Sequence, residues 1–331
     1  MRIIVFGVGA VGGTIAAGLA LAGQDVVGIA RGAQLQAINA DGLALRSHAG
    51  VQMARFDCVD SPARIAFRPD DAILLTVKSQ DTVAALEQLR AAGVRDQPVF
   101  CAQNGVANEP LALRRFANVH GFTVMLPAEF VTPGHVTAFG RPRLGIFDIG
   151  RYPSGRDDAD DALAKVLNTG PFAAFPDPDV MRSKYGKLLF NLGNIAEAAL
   201  GRGKESQQLA DLLRDEALGV LDAAGLAWKD VGRDDPRRDE LMTTGPIEGV
   251  TRTGGSTAQS LARATGSIET DYLNGEMVLL GRLHGVPVPA NEWACALAAR
   301  MLREHIPAGG LDPSEVREAL ALLAGGDRPA P

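Results

Sequence analysis

The chain has 331 residues, 46% of them apolar and 22% charged, with a net charge of −6. This is the composition of a soluble globular protein long enough for two domains with sizeable cores. The acidic balance, without long charge runs, argues against a nucleic-acid surface and against a polybasic membrane patch.

Three cysteines, Cys58, Cys101 and Cys295, are odd in number and widely spaced. They offer no zinc pattern and no disulfide framework, and fit a reducing cytoplasm. The first 23 residues, MRIIVFGVGAVGGTIAAGLALAG, have the early Arg, apolar run and small-residue end of a secretory leader. They are too short and too rich in glycine for a membrane span.

The glycines have a better use. Arg2–Phe6 is a β-branched apolar run, the mark of a fully buried strand. Gly7, Gly9 and Gly12 then fall in the three glycine positions of G-x-G-x-x-G, a helix is predicted over 11–22, and DVVGIA (25–30) reads as a second strand. That is the context in which the motif holds a dinucleotide. Gly7 permits the tight turn, Gly9 lets the backbone approach a pyrophosphate, and Gly12 lets helix and strand pack closely. Val8, Ala10 and Val11 complete the loop and the first helical turn, whose free N–H groups carry about half a positive charge toward the phosphates. A glycine-rich turn with no ligand is the plainer reading of the motif taken alone.

The end of the second strand chooses between cofactors. An NAD site usually has Asp or Glu there for the ribose 2′-hydroxyl. This strand runs into Arg31, whose guanidinium suits a 2′-phosphate, so NADP(H) is favoured. A merely exposed surface Arg is the alternative. AILLTV (72–77) and PVFCA (98–102) are further buried strands, and Lys78 and Asn104 lie just beyond their carboxyl ends, where ligands bind in open α/β sheets. The Asn-Gly pair at 104–105 is also a common turn. Residues 119–124 and 143–149 read as strands around PGHVTAFG (133–140), taken as a hairpin extension.

From about residue 157 the texture changes. Residues 157–167 are amphipathic, and 171–178 are Pro-rich and read as a linker. Helices are predicted over 179–200, 205–224, 256–264, 268–284 and 287–305, with Gly285 and Pro287 as stop and start signals. Residues 229–255 give no clear pattern, and 325–331 read as a frayed tail. The division expected is 1–172 for a nucleotide-binding domain and 173–325 for a helical one, with 326–331 as tail. A cleft between the two is expected to receive the substrate.

One helix asks for explanation. In SKYGKLLFNLGN (183–194), Lys187, Asn191 and Asn194 sit at i, i+4 and i+7 and share a face, with Lys184 one turn earlier, among Leu188, Leu189, Phe190 and Leu192. The seam is either a wet helix face or a polar line aimed at a substrate. Lys187 is preferred to Lys184 because it alone has Asn at i+4.

These blocks carry a family resemblance. GVGAVG with Arg31, TVKSQDT (76–82), QNGV (103–106), KLLFNLGN (187–194) and IETDYLNGEMVLLGRLHGVPVPAN (268–291) resemble ketopantoate reductase, or 2-dehydropantoate 2-reductase, from residue 1 to about 305. The resemblance implies an α/β Rossmann-type N-terminal domain followed by an all-α C-terminal domain like that of 6-phosphogluconate dehydrogenase. It implies NADP(H) as cofactor, a small-molecule 2-oxo acid as substrate, and a place in pantothenate biosynthesis. Carried over by position, Lys187 is the catalytic lysine and Glu269 the acidic residue at cofactor and reacting centre. Asn104, Asn191, Asn194 and Ser256 bind substrate, with Asn104 also touching nicotinamide, and Lys78 contacts cofactor.

Three departures fall on the substrate side. Asn194 follows Lys187 by seven residues where the family has eight. The stretch between Gln259 and Glu269 is one residue longer. The loop LGRGKES (200–206) lacks an asparagine that some members use.

None of the five histidines, at 48, 120, 135, 284 and 305, stands in a motif for a His-based acid. Glu269 would also suit a helix N-terminus, and Ser256 an N-cap. Two other functions stay open: a reductase of a different 2-oxo or β-hydroxy acid in the same fold, and a non-catalytic NADPH sensor. A homodimer is also left open, since oligomeric state is not legible here.

Overall fold

The structure is a computed structural model that describes every residue except 131, 233, 264, 265, 325–328, 330 and 331. The chain divides into two compact units, Met1–Lys184 with Asp230–Thr251, and Tyr185–Lys229 with Arg252–Pro331.

In the first unit β1 (Arg2–Phe6) is buried at all five positions and runs into α1 (Ala10–Leu21). There follow β2 (Val26–Ile29), α2 (Gly32–Asp41), a hairpin of β3 (Leu43–Ser47) and β4 (Gly50–Ala54), β5 (Asp57–Val59) and β6 (Asp71–Leu75). Next come α3 (Thr82–Ala91), β7 (Val99–Cys101), α4 (Asn108–Leu113), β8 (Val119–Met125), β9 (Ala128–Phe130), β10 (His135–Ala138) and β11 (Gly140–Pro142). The run closes with β12 (Gly145–Arg151), α5 (Asp158–Thr169), β13 (Phe172–Pro176) and the start of α6 (Val180–Asn191).

The main sheet has the order β13-β12-β8-β7-β6-β1-β2-β5. The strands from β8 to β5 pair in parallel, and only β8 and β12 run antiparallel. The chain passes from β1 to β2 on one side and returns to β6 on the other, so β1 and β6 frame the switch point where open α/β sheets bind ligands. A buried fork, Arg2 Nε to Asp71 Oδ1 and Nη2 to Oδ2, both at 2.7 Å, locks the opening register of these two strands.

A second sheet, β4-β3-β10-β9, lies against α1. Helix α1 is therefore covered on two sides, which explains its small residues. A Cβ on Gly13 would come within 2.9 Å of Val136, and one on Gly18 within 2.7 Å of Phe172. The stretch predicted as a hairpin extension is β10, which pairs with β3 in parallel and with β9 antiparallel.

The Pro-rich stretch 171–178 is not a linker. It holds β13, paired in parallel with β12 from Phe172 to Pro176 at the sheet edge. The first unit therefore runs past 172. It also takes in residues 230–251, which sequence gave no pattern: α9 (Pro236–Leu241) and β14 (Met242–Thr244), the latter antiparallel to β11. Arg237 clamps this segment to β12 through Asp148, Nη1 to Oδ1 at 2.6 Å.

The second unit is helical apart from its loops. After the end of α6 come α7 (Asn194–Leu200), α8 (Lys204–Ala223), α10 (Ser256–Ala262), α11 (Asn274–His284), α12 (Pro289–Arg303) and α13 (Pro313–Ala324). Leu209, Leu213, Ala217 and Val220 form the buried stripe of α8, and Ala290, Trp293, Ala294, Leu297 and Met301 that of α12. Gly285 ends α11 in the left-handed conformation, φ 70°, as its position suggested.

The helix predicted over 179–200 is two helices, broken at Leu192 and Gly193. The helix predicted from 268 begins at Asn274, after a short 3₁₀ turn over Thr270–Tyr272. Of the predicted tail, 325–328, 330 and 331 lie outside the described residues.

Candidate active site

The nucleotide side is built where β1, β6 and β7 end. Gly7 has φ 112°, and a Cβ there would lie 2.8 Å from Val77 N. One on Gly12 would lie 2.2 Å from Gly7 O and 2.4 Å from Thr76 Oγ1, so both glycines are needed for the chain to turn. Gly9 is different: nothing stands within 4 Å of where its Cβ would be. Gly9 caps α1, whose first turn has no acidic residue and whose N-cap makes no side-chain bond. The space over Gly9 is open, and the first turn of α1 carries no acidic residue of its own to take up its N–H groups. Val8 buries its side chain against β2, while Ala10 and Val11 are half-buried. Arg31, exposed, precedes α2 in extended conformation at the end of β2.

Lys78 and Asn104 are both half-buried on neighbouring loops. Those loops are tied together by residues that sequence reasoning passed over. Gln103 Nε2 donates to Val77 O and to Thr82 Oγ1, both at 2.8 Å. Thr82 Oγ1 donates to Asn108 Oδ1 at 2.8 Å. Asn108 Nδ2 donates to Asn104 O at 3.2 Å and to Ser79 Oγ at 3.3 Å.

Lys184 completes this frame. Its side chain is 2% exposed, and its ammonium donates to Gln103 O at 2.9 Å and to Cys101 O at 3.3 Å. It also meets Glu109 Oε1 at 2.5 Å in a buried ion pair. Burial raises the Glu109 carboxyl above the usual range, and Lys184 opposes that rise. Lys184 is thus consumed in holding the Asn104 loop.

The other predicted residues fall in the helical unit. Lys187, in α6, is half-buried, with its Nζ 4.5 Å from the centroid of the Phe190 ring. Asn191 is the last residue of α6 and is 3% exposed, yet its Nδ2 has no hydrogen-bond partner. Asn194 does not continue the same helix. It opens α7, and its Nδ2 donates to Ser256 Oγ at 3.3 Å.

Ser256 is not an N-cap: Gly255 caps α10, and Ser256 is its first residue. Glu269 is 6% exposed, makes no capping bond, and precedes the 3₁₀ turn five residues ahead of α11. A helix N-terminus therefore does not account for its carboxylate.

Among the described residues, His120, Asp157 and Asp160 bring potential metal-ligand atoms within 4.8 Å. They are already engaged. His120 Nδ1 meets Asp160 Oδ1 at 2.7 Å, its Nε2 meets Asn118 Oδ1 at 2.9 Å, and Arg151 Nη1 donates to Asp157 Oδ2 at 3.0 Å. No helix among the described residues is long and apolar enough to cross a membrane.

A Rossmann-type nucleotide unit joined to a helical unit is the plan of a two-domain dehydrogenase. The model for "Ketopantoate reductase PanE/ApbA" matches residues 3–153, and that for "Ketopantoate reductase PanE/ApbA C terminal" matches 179–301. The chain belongs to the ketopantoate reductase family and is an oxidoreductase acting on a CH–OH group.

It is 27% identical over 309 residues to the 2-dehydropantoate 2-reductase of Pyrococcus horikoshii, covering 91% of this chain and 98% of that one. It is 29% identical over 342 residues to that of Mesorhizobium japonicum, covering 92% and 99%. The crystal structure of a PanE/ApbA family ketopantoate reductase from Ralstonia eutropha superposes with a TM-score of 0.76 at 28% identity, covering 92% and 99%. D-mandelate dehydrogenase, in a ternary structure with NADH and anilino(oxo)acetate, gives 0.75 at 21% identity over 93% and 100%, a likeness of fold alone.

Proposed function

We propose that the chain reduces a 2-oxo acid to the 2-hydroxy acid with NADPH, that 2-dehydropantoate is the substrate, and that Lys187 is the general acid. The observation that carries this reading is the Lys187–Asn191 pair on α6. A buried amide nitrogen without a partner costs about 1–3 kcal/mol unless something else fills the need. A substrate hydroxyl or carbonyl oxygen is such a partner, and a lysine one helical turn away supplies the proton that ketone reduction requires.

The residues of the nucleotide unit fit a nicotinamide dinucleotide. The space over Gly9 and the uncapped start of α1 suit the pyrophosphate, and the exposed Arg31 suits a 2′-phosphate. When bound, the reduced nicotinamide supplies hydride to the ketone carbon. Lys187 stabilises the negative charge that develops on the ketone oxygen and gives that oxygen a proton from Nζ, a role worth about 10²–10⁴-fold in rate. In this proposal Asn191 and Asn194 orient the substrate oxygen, Ser256 takes the carboxylate, Asn104 and Lys78 contact the cofactor, and Glu269 is assigned to the reaction as its acidic residue.

A second substrate within the same chemistry has an observation behind it. Asn194 opens a new helix, seven residues after Lys187 where the family has eight, and is hydrogen-bonded to Ser256. NADPH oxidation measured across a panel of 2-oxo acids that includes 2-dehydropantoate tests both readings. The highest kcat/KM on 2-dehydropantoate supports the first. A clear preference for another acid selects the second, and binding of NADPH without oxidation by any acid overturns both.

A further inference from the structure

The block 268–291 contains two asparagines, Asn274 and Asn291, that the proposed chemistry does not use. Both are buried, at 1% and 0% exposure. Asn274 Nδ2 donates to Leu192 O at 3.2 Å and to Asn291 Oδ1 at 3.1 Å. Asn291 Nδ2 donates in turn to Leu213 O at 3.1 Å and to Glu216 Oε2 at 2.9 Å. The Glu216 carboxylate also receives the backbone N–H groups of Ala290 (2.8 Å, Oε1) and Asn291 (3.0 Å, Oε2), in the first turn of α12.

Every amide orientation in this chain is fixed. Glu216 and the Leu213 carbonyl only accept, so Asn291 must turn its NH₂ toward them and its oxygen toward Asn274. Asn274 must then offer its own NH₂, and its two protons go to Asn291 and to Leu192 O. The carbonyl so held belongs to the break between α6 and α7. That break decides how Asn191, just before it, and Asn194, just after it, are set relative to each other. The same break leaves room only for glycine at 193, since a Cβ there would stand 2.9 Å from Ala210 Cβ.

We infer that Asn274, braced by Asn291 and Glu216, is a positioning residue: it fixes the α6–α7 break and thereby aims the two asparagines that meet the substrate. This rests on the proposed role of Asn191. It makes substrate recognition depend on α11 and α12, neither of which supplies a substrate ligand. It also accounts for the two buried asparagines of that block. Fully satisfied, a buried polar network of this kind makes its members rigid, because leaving any one of them unpaired is costly.

The test is a double-mutant cycle with 2-dehydropantoate on the full-length protein: Asn274→Ala, Asn191→Ala and the pair. Asn274→Ala is expected to raise KM about tenfold, with a smaller fall in kcat and with NADPH affinity within about twofold of the parent. The pair is expected to be little worse than Asn191→Ala alone, because Asn274 acts through Asn191. Asn274→Ser keeps one short donor, should fall between, and serves if the Ala variant does not fold. A loss in the pair equal to the product of the single losses overturns the positioning role but leaves the site reading standing. A normal KM in Asn191→Ala overturns both.

Discussion

Lys184 and Glu109 form an ion pair with neither side chain more than 2% exposed, and the same ammonium holds the carbonyls of Cys101 and Gln103. Removing one member leaves the other charge buried and unmatched, which typically costs about 3–5 kcal/mol, whereas replacing both with apolar groups is often neutral. Lys184→Met is therefore expected to lose about that much stability in urea denaturation, and Lys184→Met with Glu109→Leu to recover most of it.

The pH dependence has a definite sign. Burial raises the Glu109 carboxyl, so its contribution is fully present below the ordinary carboxylate range and is lost as pH rises through its raised value. Lys184 limits that rise, and its removal widens the gap. The deficit of Lys184→Met should accordingly be larger at pH 7.5 than at pH 5. A deficit independent of pH would show that Glu109 is not the group left exposed to the change.

Gly9 and Gly12 belong to one motif but are constrained by different things. An alanine at Gly12 collides with the backbone of Gly7 and with Thr76, whereas one at Gly9 meets no protein atom within 4 Å. Gly12→Ala should lower the melting temperature and cofactor affinity together. Gly9→Ala should leave the melting temperature within about one degree while weakening NADPH at least about tenfold, since the methyl occupies the space through which a pyrophosphate approaches. Unchanged NADPH affinity in Gly9→Ala would place the phosphates elsewhere.

The first strand, the glycine turn and α1 were legible because short-range pattern and long-range packing demand the same residues there. β13 was not, because Pro171, Pro176 and Pro178 made the stretch read as a linker. Only Pro176 lies within the strand, at the register end opposite Ile149, where an edge strand tolerates it. The break after Asn191 was hidden for a different reason. Gly193 is tolerable inside a helical period, and the residues that meet the break, Asn274 at Leu192 O and Ala210 beside Gly193, are distant in sequence. Lys184 shares a stripe with Lys187 by period, and its ties to Glu109, Cys101 O and Gln103 O join segments distant in sequence. Of the candidate site, the residues named come from motif spacing and from the family resemblance, and their roles are proposals. The supporting hydrogen bonds from Gln103, Asn108, Asn274 and Asn291 were not legible, because each joins segments whose proximity the fold alone creates.

Lys187 is assigned the proton transfer, so its loss should act on turnover and not on cofactor binding. Lys187→Ala is expected to lower kcat by about 10²-fold or more on the preferred 2-oxo acid, with NADPH affinity nearly unchanged. Lys184→Met should differ: its loss disturbs the Asn104 loop, so instability should accompany any loss of turnover. If Lys187→Ala retains turnover, the general acid is another group.

Arg31 stands exposed at the end of β2, with extended backbone just before α2 and no acidic residue in the first turn of that helix. No carboxylate there awaits a ribose 2′-hydroxyl, and a guanidinium gains its strength from a charged partner. Charge-assisted bonds to a phosphate are worth about 1.5–3 kcal/mol, so Arg31→Ala should weaken NADPH about ten- to a hundredfold. NADH, which lacks the phosphate, should change by less than about twofold. The parent preference should also shrink as salt rises from 50 to 500 mM, because an exposed ion pair is screened, and the variant should lose that salt dependence. Fluorescence titration of both cofactors at the two salt concentrations measures all of this. Equal weakening of NADPH and NADH would mean that Arg31 supports the loop without reading the phosphate, and the choice of cofactor would then rest on other residues.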